Sequence, residues 1–504
     1  MERIGIIDLG SNTARLVIVE MLGDGHFVVI DQLKESVRLG QDMERDGFLQ
    51  ASRVAETIKT LKMFRKLCDA YEIERIIAVA TAAVRRAKNQ RSFLDEIVAT
   101  TGIKLKVLTA EEETTYVYRG VINTMDVSKG LILEIGGGST KIIYYNRRNL
   151  LHFETLPFGA VTLSELFASD NLSGEEQAKK IEEFMIEQLS SIEWLKEIDP
   201  ETQLIGCGGS FRNVCKIVKM KKQCPLQLIH NYVVETEEFE QVYDMLKSLD
   251  LDKKKRIKGI SSKRADLLPA AFAVAHAFIK YLNFEKMVIS ACGLREGIMF
   301  NYAVPTTIEK PISDVLTYSM QTLVKYYKCN EKHCEQVANL SVQLFKQMHV
   351  LHKFPRQALK ILKVAAYLHD TGTSIKYYDY QKHTCYIILN SSLYGITQRE
   401  IVLAGLVVAS YKNDDFSKAD LLKYKEFISE DDVELIRKLG IMLRIAVSLD
   451  RSMSSSVESL SCDVLGDSVI MKTVLTSDAT LEIKDALSSQ ADFRRIFKKN
   501  LEIL

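Results

Sequence analysis

Short β-branched runs alternate with segments of helical spacing through roughly the first 300 residues. Ile4–Ile7 and Leu16–Val19 are strand-like runs around a turn, Ser52–Tyr71 carries a helical apolar stripe, and Arg75–Ala80 reads as a buried strand. Leu131–Ile135 and Ile142–Tyr145 again bracket a turn, and Glu175–Lys196 reads as one long amphipathic helix. This alternation predicts an α/β fold. Near Pro305 the texture changes, and amphipathic helical spacing dominates from Ile308 to about Ser452. The remainder predicts strands at Val469–Val474 and Thr480–Ile483 and a closing helix near Phe493–Lys499.

Two of the strand–turn–strand units resemble each other. One reads Ile-Ile-Asp8-Leu-Gly10-Ser11-Asn12-Thr13, the other Ile-Leu-Glu134-Ile-Gly136-Gly137-Gly138-Ser139-Thr140. Each has an apolar strand, an acid, one apolar residue, a turn of small and hydroxyl residues, and a second strand. Two copies predict a duplicated fold with a ligand between its halves; two ordinary hairpins are the bland alternative.

Composition adds mainly exclusions. The 504 residues carry 67 Lys+Arg against 66 Asp+Glu, a net charge of +1. That balance argues against a protein that coats nucleic acid, so a polyanion would have to bind at a local site. No apolar run approaches the roughly 18 residues of a membrane span, and Met1-Glu2-Arg3 followed by a strand-like run does not read as a signal peptide. Nine cysteines, none in C-x-x-C spacing, argue against a disulfide framework or zinc ribbon and lead to the expectation of a reducing cytoplasm.

Four apolar runs end in small-residue turns: Asp8–Thr13, Glu134–Thr140, Ile205-Gly-Cys-Gly208-Gly209-Ser210 and Ala291-Cys-Gly-Leu-Arg295-Glu-Gly297. Glycine lets backbone N–H groups approach an anion, and consecutive N–H groups make a nest for phosphate oxygens. Ser11, Asn12, Ser139, Thr140 and Ser210 add side-chain donors, and the third turn precedes a predicted helix Phe211–Lys219 whose N-terminus favours negative charge. Four such turns point to a phosphate-rich ligand. Neither a P-loop nor a Rossmann fingerprint is present. Arg38, Arg85 and Arg295 stand at strand or turn edges and suit bidentate phosphate contact, although by position alone any one of them reads first as a solvated ion pair. Asp8, Glu134 and the run Glu111-Glu112-Glu113 supply carboxylates for metal or water; that run also reads simply as helix-dipole complement.

These motifs together resemble the exopolyphosphatase/guanosine pentaphosphate phosphatase (Ppx/GppA) family of the actin-like ATPase superfamily. The matching stretches are Ile7–Val17, Val37–Gly40, Ala80–Arg85, Ala110–Glu113, Ile135–Thr140, Pro157–Ala160, Gly206–Ser210 and Gly293–Gly297, in family order. The resemblance implies duplicated ribonuclease-H-like (actin-like) α/β domains over residues 1–124 and 125–304. An all-α HD-like domain would follow over 305–456, and a small α+β segment over 457–504. It implies Glu113 as the catalytic base that positions water and Arg85 as a phosphate-contacting arginine. Asp8, Gly10, Ser11, Asn12 and Thr13, with Gly136, Gly137, Gly138, Ser139, Thr140 and Lys141, would form two phosphate-binding loops. Gly208, Gly209 and Ser210 would form a third phosphate-facing turn, with Arg38 and Arg295 also on substrate. It implies Mg²⁺ as cofactor, held by Asp8 and Glu134 and shared with substrate phosphates, and a homodimer.

Two departures stand out. The family loop usually reads Asp-Ile-Gly-Gly-Gly-Ser-Thr-Glu, whereas here Glu134 replaces the aspartate and Lys141 the final glutamate. The lysine could neutralise phosphate in place of a metal ligand, or mark weakened metal binding and slower turnover. In the helical region, His333, His369, Asp370 and Asp450 occupy HD-like positions. They would bind a divalent metal only if all four converged, and they read first as helix-capping core residues. Lys253–Arg256 and Lys263-Arg264 could guide a polyanion or form a solvated face.

The reading is therefore an exopolyphosphatase that acts on inorganic polyphosphate. A pppGpp 5′-phosphohydrolase is the alternative within the same chemistry, a low-turnover polyphosphate or alarmone sensor is the alternative outside it, and a sugar-kinase-like ATPase is a weaker reading.

Overall fold

The computed structural model describes residues 2–43, 45–168, 172–304, 311–413 and 417–504, the side chain of residue 418 excepted. Pro305 and Ile308, where the sequence places the change of texture, lie outside the described residues. The chain forms two compact units: residues 1–223 with 229–315, and 224–228 with 316–504.

The first unit holds two mixed sheets of the same design. In the first, β1 (Arg3–Leu9), β2 (Ala14–Gly23) and β3 (His26–Glu35) form an antiparallel meander, and β4 (Arg75–Ala80) and β5 (Leu105–Val107) add in parallel, in the order β3-β2-β1-β4-β5. In the second, β6 (Lys129–Ile135), β7 (Thr140–Asn146) and β8 (Asn149–Leu156) form the meander. Here β9 (Gln203–Cys207) and β11 (Lys286–Ser290) add in parallel, and β10 (Tyr232–Glu235) closes the edge antiparallel to β11. Three meander strands followed by two parallel ones, twice, is the duplication the paired motifs predicted, and the two α/β domains are consistent with an actin-like fold. Apolar side chains from β1, β2 and β4 pack under the helices Ala51–Ala70 and Gln90–Thr101; those of β6, β7 and β9 pack under Gly174–Ser190, Gly209–Lys221 and Leu268–Leu282.

The carboxyl ends of β1, β6, β9 and β11 carry the four glycine turns. Ligands in open α/β sheets bind outside the carboxyl ends of the parallel strands, where loops rather than side-chain layers line the space.

The helix Ala110–Ile122 carries the acidic run and crosses the helix Leu294–Ala303 backbone against backbone. A Cβ on Gly297 would lie 1.8 Å from the Tyr116 carbonyl oxygen, and one on Gly120 would lie 2.0 Å from that of Gly293. This contact sets Glu113 beside the Gly293–Gly297 turn.

The second unit is helical, from Val315–Tyr326 to Asp432–Ser448, and closes with β12 (Val457–Leu465), β13 (Ser468–Leu475) and β14 (Asn500–Ile503). Val457, Leu460, Val469, Met471, Phe493 and Leu501 share one core with the helices, so residues 457–504 complete that core. Thr480–Ile483, expected as a strand, opens the helix Thr480–Leu487. Four residues fit either period; here Asp478 accepts from Thr480 N and Oγ1, and Glu482 and Ala486, four apart, are buried on one face. The expected helix Glu175–Lys196 ends at Ser190 and resumes as a 3₁₀ turn over Glu193–Glu197.

The HD-like expectation gains no metal site. His333 Nδ1 lies 2.7 Å from Asp450 Oδ2, and the His369 ring lies 5.1 Å from that of His333. His369 Nδ1 is spent on the Ala366 carbonyl at 2.8 Å, and burial lowers its pKa to about 4. Among the described residues no three His, Cys, Asp or Glu side chains are grouped to hold a metal. No helix among them is long and apolar enough to cross a membrane.

Gly297→Ala should destabilise the full chain by about 1–3 kcal/mol, the range for overpacking a contact that cannot relax. Thermal denaturation beside wild type checks this; an unchanged melting temperature would mean that the two helices can part.

Candidate functional site

The two paired hairpins close in the same way and face each other. Gly10 N donates to Thr13 O at 3.0 Å, and Gly136 N donates to Ser139 O at 2.9 Å. A Cβ on Gly138 would come within 2.8 Å of Ser11 Oγ, and one on Gly137 within 3.1 Å of Ser11 Cβ. The two turns touch because these positions are glycine.

Each hairpin has its own buttress. Gly40 N donates to Ser11 O and Arg38 N to Asn12 O. In the second copy Ala160 N donates to Gly136 O, Val161 N to Gly137 O, and Thr140 Oγ1 to Phe158 O. The Val37–Gly40 and Pro157–Ala160 motifs thus hold the turns in place. Arg38 sends its guanidinium to Asp266, at 2.8 and 3.3 Å, and to the Lys263 carbonyl, and it does not line the cleft.

The turns enclose a cleft of about 830 Å³, open mouth included. Asp8, Gly10, Ser11, Asn12, Thr13, Glu113, Glu134, Gly136, Gly137, Gly138, Ser139, Lys141, Gly208, Gly209 and Arg295 line it. Thr140 serves the buttress, and Ser210 is buried in the first helical turn beyond Gly209. Neither the Nδ2 nor the Oδ1 atom of Asn12 has a hydrogen-bond partner, although both are buried. Such an amide is costly unless something in the cleft meets it.

The cross-strand registers give the cleft its charges. Asp8 stands opposite Arg15, and Glu134 opposite Lys141, so each hairpin pairs an acid with a cation beyond its turn. Lys141 is 1% exposed. Its Nζ lies 2.7 Å from Glu134 Oε2, 2.8 Å from Glu113 Oε1 and 3.4 Å from Ser139 Oγ. Arg85 does not reach the cleft directly: its Nη1 donates to Glu113 Oε2 and to the Leu108 carbonyl, both at 2.9 Å. The acidic run divides accordingly. Glu112 closes a capping box with Thr109, while Glu113 turns inward and is 5% exposed. Burial pushes the Glu113 carboxyl up, but Lys141 and Arg85 outweigh it and hold it below the ordinary 4.5. Burial works against the Lys141 charge, yet Glu113 and Glu134 hold its pKa above the usual value. Asp8, raised to about 6 by burial, is held back by Arg15 and Arg295.

Two further cleft residues, Arg15 and Arg212, were not singled out by sequence, and Arg264, of the pair Lys263-Arg264 that could guide a polyanion, lines the cleft with them. Arg15 is brought down to about 9 by burial and by repulsion from Arg212 and Arg295, and Arg264 to about 10 by burial and Arg212. Lys34, opposite Arg15 on β3, is exposed at the surface, yet partial desolvation by its surroundings and the like charges of Arg15, Arg264, Arg212 and Lys216 bring its pKa down to about 8. Like charges placed opposite each other are unfavourable in a sheet, so this cluster is poised for an anion. Arg264 lies so close over Gly209 that a Cβ there would sit 1.7 Å from Nη1. Arg15 had a local signal, since it follows the first turn as Lys141 follows the second; Arg212 stands in the first turn of the helix after Gly209. Arg264 had the signal of its basic pair with Lys263, but its place over the Gly209 turn comes from the fold, which brings in a short 3₁₀ turn, Ser262–Arg264. Lys253 and Lys255 instead pair locally with Asp250 and Asp252, as a solvated face would.

Mg²⁺ was expected on Asp8 and Glu134. The donor set does not fit it well. The ammonium of Lys141 already takes an oxygen from Glu134 and one from Glu113, and Glu296 accepts from Gly293 N at 2.8 Å and lies 3.6 Å from Arg295, so that Asp8 is the described cleft carboxylate with no such partner. A divalent ion needs several hard oxygen ligands, and a buried ammonium beside it repels it.

The sequence profile of the Ppx/GppA phosphatase family matches residues 17–304, and that of the Ppx/GppA phosphatase domain III matches residues 315–490. The chain belongs to this family. A relative from Pseudoalteromonas translucida, named guanosine-5'-triphosphate,3'-diphosphate pyrophosphatase, is 27% identical over 454 residues, 88% of this chain and 86% of the relative. One of the same name from Vibrio vulnificus is 25% identical over 461 residues, 90% of this chain and 88% of its own. Among solved structures, an exopolyphosphatase from Cytophaga hutchinsonii superimposes with a TM-score of 0.56 at 26% identity, over 60% of this chain and 98% of that one. The Aquifex aeolicus Ppx/GppA family member gives 0.51 at 28%, over 60% and 97%.

Lys141→Met should cost about 3–5 kcal/mol at neutral pH, the usual loss when one partner of a buried ion pair is removed. In wild type the depressed Glu113 pKa contributes stability that is present above 4.5 and lost as pH falls through the folded value. In the variant Arg85 alone opposes the burial of Glu113, so that carboxyl binds a proton more readily on folding and stability should recover as pH falls from about 7 to about 5. Chemical denaturation across that range checks the difference, because the Glu113 contribution in wild type is constant above 4.5 and only the variant should gain as pH falls; equal slopes would show that Lys141 does not neutralise Glu113.

Proposed function

We propose that the chain hydrolyses a terminal phosphoanhydride in this cleft and releases orthophosphate, with inorganic polyphosphate as substrate. The observation that carries this reading is the cation cluster Arg15, Arg212, Arg264 and Lys34 next to amide-lined turns. Its mutual repulsion is relieved by a ligand with charge on several successive phosphates. The described lining residues include no aromatic ring on which a base could stack, which favours a chain of phosphates over a nucleotide.

In this reading the terminal phosphoryl group rests on the N–H groups of the two facing turns and on the Gly208-Gly209 turn. Asn12 supplies a donor that has no partner in the protein. Glu113, ionised at neutral pH and fixed by Arg85 and Lys141, orients the attacking water. Water adds to the terminal phosphorus, the bridging P–O bond breaks, and the charge left on the shortened chain meets Arg15, Arg212 and Arg264. One proton of the water passes to Glu113 or to solvent. No step is assigned to a metal ion.

Two other readings have observations behind them. The relatives from Pseudoalteromonas translucida and Vibrio vulnificus that match most of the chain are named for the guanosine pentaphosphate reaction, which presents the same anhydride. Both oxygens of Glu113 are engaged by cations, which suits a slow or purely binding protein.

Orthophosphate release from long-chain polyphosphate and from pppGpp, each with and without Mg²⁺, tests these readings. Release should be faster from polyphosphate, and Glu113→Gln should lower it by about 100-fold or more. Faster release from pppGpp would transfer the assignment to the nucleotide, and tight binding without release in both proteins would leave a sensor.

Polyphosphate affinity should also weaken as pH rises through about 8, where free Lys34 loses its proton. The bound anion favours the charged form, so binding above that pH takes up a proton. Calorimetry in buffers of different ionisation enthalpy measures this uptake. Lys34→Gln should reduce it, and an identical uptake in the variant would remove Lys34 from the binding track.

A further inference from the structure

Five cations, Arg15, Lys141, Arg212, Arg264 and Arg295, line the cleft against four carboxylates, Asp8, Glu113, Glu134 and Glu296. The lining is therefore already positive without any added ion. The carboxylates nearest the facing turns are the obstacle to a phosphate there, since like charges at about 4 Å repel strongly outside bulk water. Two of them, Glu113 and Glu134, are bridged by one buried ammonium, at 2.8 and 2.7 Å. The third contact of that ammonium, to Ser139 Oγ at 3.4 Å, ties it to the phosphate-facing turn itself. The equivalent place in the other hairpin, opposite Asp8, also holds a cation, Arg15. Both halves of the fold thus supply their own positive charge.

We infer that Lys141 is the resident cation of this cleft, standing where a divalent ion would otherwise join carboxylate to phosphate, so that the protein binds phosphate chains without Mg²⁺. The inference rests on the functional reading above and deepens it. Lys141 acts as a positioning and neutralising residue. Its three N–H groups are taken by Glu113, Glu134 and Ser139, and its effect on a phosphate is to cancel the two acids and hold Glu113 in place. Replacing it by an acid would leave four cations against five carboxylates, and the lining would then need an external cation.

The test is calorimetric titration of the full-length protein with inorganic polyphosphate of defined length, in EDTA and in millimolar Mg²⁺ at matched ionic strength. Wild type should bind at least as tightly in EDTA as in Mg²⁺. Lys141→Glu should lose at least about tenfold in affinity in EDTA and recover much of it in Mg²⁺. Titration of Mn²⁺ alone, followed by its electron paramagnetic resonance signal, should show no tight site in wild type and a new one in Lys141→Glu. Wild-type binding that requires Mg²⁺ would overturn the inference and leave the functional reading standing. Absence of polyphosphate binding in both conditions would overturn that reading and this inference with it. If Lys141→Glu does not fold, the two wild-type measurements still decide: binding in EDTA without a tight Mn²⁺ site supports the inference, and a tight Mn²⁺ site that Glu134→Gln removes refutes it.

Discussion

One buried ammonium holds the chemistry of this protein together. Lys141 binds Glu113 and Glu134 at once, and these acids come from different elements: the first turn of the helix Ala110–Ile122 and the end of β6. Burial opposes the charge on Glu113, and Lys141, with Arg85, outweighs it, since taking a carboxylate out of water costs several kcal/mol unless a counter-charge meets it. The contact therefore sets both the ionisation and the direction of Glu113. Arg85 secures the other oxygen of the same carboxylate.

The surroundings of this triad follow from duplication. Each sheet ends its first strand in an acid, turns through small residues, and returns a cation opposite that acid. Each turn is pinned by backbone bonds from a separate loop, 37–40 in one half and 157–161 in the other. Glycines at 137 and 138 let the turns meet around Ser11. The buttressing bonds end on carbonyls of the turns and not on their N–H groups, so an anion could meet those N–H groups without reorganisation of the turns. The cations then concentrate on one side, where desolvation and mutual repulsion lower the pKa values of Arg15, Arg264 and Lys34.

Much of this was legible because it is local. The strand Arg75–Ala80 lies where its apolar run predicted, and the two hairpins could be paired by their matching order of acid, glycine and hydroxyl. The helical second unit was visible in its spacing. The edge strands β3, β8 and β10 were missed because exposed apolar residues on them, Val29, Leu151, Phe153 and Val233, blur the alternation of apolar and polar positions in the sequence. Thr480–Ile483 was misread because four residues satisfy two periods, and only the burial of Glu482 and Ala486 on one face selects the helix.

By itself the sequence determined which residue types could meet an anion: glycine turns at strand ends, the acids before them, and Lys141 as a charge of unexpected sign. These are statements about neighbours in the chain, and short-range geometry suffices for them. Only the tertiary structure decided partners. It joined Lys141 to Glu113, turned Arg38 away to Asp266, assigned Arg85 to Glu113, and carried Arg264 in over Gly209. Electrostatic energy depends on separation in space and on exclusion of water, and both are set by how distant segments pack.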